Sequence, residues 1–76
     1  MDKWPKSLLE YKIYLPIGYL PENLNKIVKE KGEIMNVIMR NKGNIIEYEV
    51  IVRDKALIRY LIILSDVGEL IEENKV

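Results

Sequence analysis

Neither cysteine nor histidine occurs among the 76 residues, and this limits both how the chain is held together and what chemistry it can do. Disulfides and thiolate metal sites are excluded as staples. With histidine go the commonest general base and the commonest zinc ligand. A chain this short buries a small share of its unfolded surface, so its stability rests on an apolar core, with or without a partner chain. Hydrophobic residues, chiefly Ile, Leu, Val and Tyr, make up 49% of the sequence, enough for one core and one domain.

The spacing of those residues divides the chain. Residues 1–8 read as an N-terminal arm, where Pro5 opposes regular structure, and residues 9–76 as a single domain. Tyr11, Ile13, Leu15 and Ile17 alternate with Glu10, Lys12 and Tyr14, the period-two pattern of a half-buried strand over 9–17. Pro21 opens a helix over 21–31, with Leu20, Leu24, Ile27 and Val28 on its apolar stripe and Gly32 as its cap. Two apolar runs, 34–40 and 45–53, flank Asn41-Lys42-Gly43-Asn44 and read as a β-hairpin. The first is apolar on both faces, which leaves its register open. In the second, Ile46, Tyr48, Val50 and Val52 share the inner face, and Ile45, Glu47, Glu49 and Ile51 share the outer.

Asp54 then suits the cap of a second helix, with Ala56, Leu57, Tyr60, Leu61 and Leu64 as its stripe. Gly68 ends it, and residues 69–73 form either a short edge strand or a further helical turn. The expected order is β-α-β-β-α-β. Right-handed crossovers place both helices on one face of a four-stranded antiparallel sheet, an α+β, two-layer ferredoxin-like sandwich with its other face bare.

Function is less constrained. Twelve basic residues balance twelve acidic ones, which argues against a nucleic-acid partner. The run Leu61–Leu64 falls far short of the roughly 20 apolar residues of a membrane span. Met1-Asp2-Lys3-Trp4-Pro5-Lys6 lacks the apolar stretch of a signal peptide, so the sequence reads as cytoplasmic. Abundant Lys, Glu and Ile lean towards a thermophilic source.

Glu47 and Glu49 point to one face. They read as a solvated surface paired with Lys12 rather than as an acid–base couple. Tyr14 is placed for stacking on bases, but the Lys/Arg-Gly-aromatic core of RNA-binding sheets is absent. No catalytic residue, metal ligand or cofactor site is expected, and the chain does not read as an enzyme. Gly18 allows close approach to the first helix, and Asn36 is a polar side chain within an apolar strand. Ile58, Ile62 and Ile63 widen the second helix beyond what one sheet should cover. With Ile45 and Ile51 on the outer sheet face, they give more apolar surface than a small monomer usually exposes. Ile45, Ile51, Ile58 and Ile62 are therefore the expected interface of a homodimer.

The run Leu15-Pro16-Ile17-Gly18-Tyr19-Leu20, a helix, and then Gly32-Glu33-Ile34-Met35-Asn36-Val37 resembles the ACT-domain pattern. Asn36-Val37-Ile38 and Ala56-Leu57-Ile58-Arg59-Tyr60-Leu61 resemble segments of the related NIL domain of methionine-importer ATPases. The likeness spans about residues 9–73. It implies a ferredoxin-like fold, dimers or higher oligomers, and amino-acid sensing at subunit interfaces, with Gly18, Tyr19, Leu20 and Asn36 as ligand residues. The expectation is a small regulatory module that binds an amino acid or similar molecule at a homodimer interface. The alternative is a protein-interaction module without a ligand, using the open sheet face or the second helix.

Overall fold

A computed structural model describes residues 10–76. The expected arm, Trp4 and the start of the first strand at residue 9 lie outside the described residues. Strand β1, Glu10–Leu15, ends at Pro16 and passes through a short 3-10 turn, Ile17–Tyr19. Helix α1, Glu22–Lys29, follows Pro21, whose carbonyl accepts from the N–H groups of Leu24 and Asn25. Strands β2 (Glu33–Lys42), β3 (Ile45–Arg53), β4 (Arg59–Ser65) and β5 (Leu70–Lys75) complete the chain. The five strands form one antiparallel sheet in the order β1-β2-β3-β4-β5.

Helix α1 packs on one face of this sheet. Leu24 and Val28 from the helix, with Leu20 before it, are buried against Ile34 and Val37 of β2, Val50 and Val52 of β3, and Ile62 and Leu64 of β4. Burial of a side chain of this size contributes about 1.5–3 kcal/mol. Ile34 and Val37 reach the same face despite their odd spacing because the register shifts between Ile34 and Asn36. The bulge leaves Met35 as the extra residue and rephases the strand. An apolar pattern on both faces could not reveal that.

The hairpin expected at Asn41–Asn44 is present. Lys42 pairs with Ile45 across a two-residue turn, and Gly43 holds φ 68 at its first central position, the conformation a type II′ turn requires. Gly32 marks a second tight place. A Cβ there would lie 2.6 Å from the carbonyl oxygen of Arg53, so only glycine lets the end of α1 pass so close to the end of β3.

The ferredoxin-like sandwich is overturned. The sheet has five strands rather than four, and α1 is the only α-helix among the described residues. The expected second helix is instead a tight turn followed by β4. The Asp54 carboxylate accepts from the backbone N–H groups of Ala56 and Ile58, the Leu57 N–H donates to the Asp54 carbonyl, and Leu57 sits at φ 66. Asp54 caps a hairpin loop, with the left-handed residue that three-residue loops use.

Beyond that loop, the run Tyr60–Leu64 belongs to a strand flanked on both sides, where continuous apolar sequence replaces alternation. Ile62 and Leu64 face α1, while Ile63 faces the other way and is still only 7% exposed between β3 and β5. The excess of isoleucine that widened the supposed helical stripe is therefore the mark of an inner strand. Residues 69–73, left open between strand and helix, fall largely within β5.

Candidate functional site

A helix of eight residues is about 12 Å long, whereas a strand of ten residues, such as β2, spans about 33 Å. Helix α1 therefore covers only part of one sheet face. Tyr48 packs against the margin of the core, and beyond it lie Met39 and Ile46, half-buried, and Ile13 of β1, which is 42% exposed. The alternation in β1 is real, but Ile13 does not reach the core as the pattern implied, because its pairing with Met39 places it past the helix. Tyr14, on the other face, is 72% exposed.

Pro16 ends the strand, and the Tyr19 N–H closes the following turn onto the Pro16 carbonyl at 2.9 Å. This turn swings Leu20 into the core and leaves Ile17 and Tyr19 outside, at 53% and 72% exposure. Ile13, Tyr14, Ile17 and Tyr19 thus line one edge of the molecule.

Gly18 lies in a groove of about 400 Å³ between the turn, α1 and the start of β2. Ile17 and Ile34 supply its apolar lining, and Asn25, Lys29 and Glu33 its polar groups. The Glu33 carboxylate also accepts from Arg53 at 3.0 Å. A neighbouring groove of about 510 Å³ lies between Lys29–Gly32 and the Asp54–Ala56 turn.

The structure does not bring the four expected ligand residues together. Gly18 lines the groove, Tyr19 stands in solvent, and Leu20 is buried in the core. Asn36 pairs with Ile51, and its side chain lies on the sheet face opposite Val37 and α1. The four expected interface residues are also dispersed. Ile45 is exposed and Ile51 half-buried on that opposite face, Ile58 is half-buried in the turn before β4, and Ile62 is fully buried beneath α1.

That opposite face carries charge where apolar contact was expected. Glu49 lies 3.2 Å from Arg40 and 3.4 Å from Lys12, and Glu47 lies 3.8 Å from both Arg40 and Lys42. Lys12 pairs with Glu49 as the sequence led one to expect. The arrangement is a mutually satisfied network, and removing it from water against an apolar partner would cost more than its internal attraction returns. Among the described residues no cluster of three acidic groups is suited to a metal ion. At Tyr60, desolvation first, then the charge of Asp54, its hydrogen bond at 3.3 Å and the charge of Glu73 raise the phenol above its usual range.

Sequence reasoning missed Ile13 and Ile17 as surface residues because it counted both as inward. The signal that points to them is Pro16, which ends β1 before the alternation can continue through Ile17. Comparisons with protein-family models, with curated proteins and with solved structures find no match. No helix of the described chain is long and apolar enough to cross a membrane.

Proposed function

We propose that this chain is a protein-interaction module whose contact surface is the edge made by β1 and the 3-10 turn. The observation that supports it is the grouping of Ile13, Tyr14, Ile17 and Tyr19, four large apolar or aromatic side chains, exposed within one short segment. Aromatic anchors at a strand edge suit strand addition, in which main-chain hydrogen bonds give affinity and side chains give selectivity. A photo-crosslinking amino acid at position 19, in extract of the native host, tests the reading. A discrete adduct at position 19, absent when the probe stands at Glu72, is expected. No adduct at position 19 would sink it.

A second reading is supported by the Gly18 groove. Its size falls in the range of small-molecule sites, and Lys29, Asn25 and Glu33 offer a cation, an amide and a carboxylate to a zwitterion such as an amino acid. A ligand specific for the native state raises the melting temperature. Under this reading, one or more of the twenty amino acids at millimolar concentration shifts the transition, and Lys29→Ala removes the shift. A flat response to all twenty excludes amino acids.

A further inference from the structure

We propose that the partner of the β1 edge is a second copy of this chain, joined antiparallel strand to strand with Ile13 opposite Ile13 of that copy. The proposal rests on the interaction reading above and names its occupant. An antiparallel pair of identical edge strands in one sheet has its two-fold axis normal to the sheet. Such an axis sets a residue opposite itself, keeps both helices on the same face and continues the sheet to ten strands.

The described residues of β1 allow few registers of this kind. Centring on Lys12 opposes two ammonium groups, and centring on Tyr14 runs the pairing into Pro16. Centring on Ile13 uses residues 11–15 in full. It places the apolar Ile13 side chains together on the helix side, and each Lys12 beside Tyr14 of the other copy on the far side. There the lysine stem can lie along the ring while its ammonium keeps Glu49. Twelve basic and twelve acidic residues leave no net charge to hold two copies apart.

The other edge of the sheet is less suited to self-pairing through its middle. In β5 the corresponding registers centred on Glu72 or Glu73 set a carboxylate against its own copy. One centred on Ile71 opposes Glu69 to Glu73 and meets the irregularity in the β4–β5 register. Like charges directly opposite destabilise a pair, and bulges turn an edge away from new partners. The middle of β5 thus opposes self-pairing where the middle of β1 permits it.

The test uses the full chain, which has no cysteine of its own. Light scattering and sedimentation should give twice the chain mass at micromolar concentration. Paired residues in either type of antiparallel site lie about 4.5–5.5 Å apart, within disulfide reach. Ile13→Cys should accordingly form a linked dimer under mild oxidation, while Glu72→Cys stays single. Tyr14→Lys, a surface change that keeps the fold, should weaken association at least tenfold. A single-chain mass up to millimolar concentration would overturn the proposal, as would a dimer that links through Tyr11→Cys rather than Ile13→Cys. Concentration-independent protection of the outward β1 amides in a monomer would assign the edge to the chain's own N-terminal segment, also against the proposal. A monomer whose position-19 probe captures a different protein rejects the second copy but leaves the interaction reading standing.

Discussion

The two edge strands of the sheet, β1 and β5, are each six residues long and antiparallel to their neighbour, yet they differ in where charge falls along them. β1 shows Ile13 and Tyr14 to solvent and continues into Ile17 and Tyr19. β5 is exposed throughout and shows Leu70 and Ile71 to solvent at its start, but Glu72, Glu73 and Lys75 fill its middle and end, and its register is broken at Ile71. Lys31 of the helix end reaches over to Glu73 at 3.1 Å, tying this edge to the body of its own chain. The difference teaches that exposure alone does not make an edge adhesive. Charge and register decide which unpaired backbone remains available.

The comparison is broken most completely by removing what both edges share. Leu24→Ala empties the centre of the core beneath α1. It should cost about 2–5 kcal/mol, measured by urea unfolding, with loss of association as the fold loosens. Next in size is an exchange of edge character. Glu72→Ile with Glu73→Tyr gives β5 the chemistry of β1 and should produce species larger than a dimer at about tenfold lower concentration, roughly 1.4 kcal/mol of association, read by light scattering. An unchanged mass distribution would mean that the glutamates do not guard that edge.

A smaller effect is expected from Asp54→Ala, which strips two backbone N–H groups of their partner in the β3–β4 loop. About 1–2 kcal/mol of stability should go without change in the association constant, since neither edge is touched. The smallest effect separates the edges by pH. Tyr60 pairs with Lys75 and bonds Asp54, and its raised pKa means that the fold favours the neutral phenol. That contribution is fully present below the ordinary phenol value of 10.0 and is lost as pH rises through the higher folded value. Across that range stability should fall more steeply in the wild type than in Tyr60→Phe, and amide exchange should quicken first along β5 rather than β1.

Much of the architecture was legible where local chemistry decides it. Pro21 and Gly32 bracket α1, and Gly43 in its turn locates the β2–β3 hairpin. The alternation in β3 correctly placed Val50 and Val52 inside and Glu47 and Glu49 outside. The failure fell on residues 54–64. Asp54 serves helix caps and tight loops by the same hydrogen bonds, and an apolar run without alternation fits a buried helix as well as an inner strand. Reading it as a helix made Ile58 and Ile62 an interface, whereas a strand buries Ile62 under α1. The candidate site was harder still. Gly18 and Asn36 are close to the ends of successive elements, but only the pairing of β1 with β2 and the bulge at Met35 send Asn36 to the far face.

By itself, then, the sequence determined that the chain lacks thiol and imidazole chemistry, that it builds one apolar core, and that a helix within 21–31 precedes a hairpin over 34–53, close to the observed 22–29 and 33–53. These follow from composition and from interactions within a few residues. Only the tertiary structure decided that the run at 59–65 is an inner strand, because burial on two faces depends on neighbours distant along the chain. The same long-range pairing decided that β1 ends up at an edge, with Leu15 against the core and Ile13 beyond the reach of a short helix. That is why Ile13, patterned like a core residue, stands at the surface.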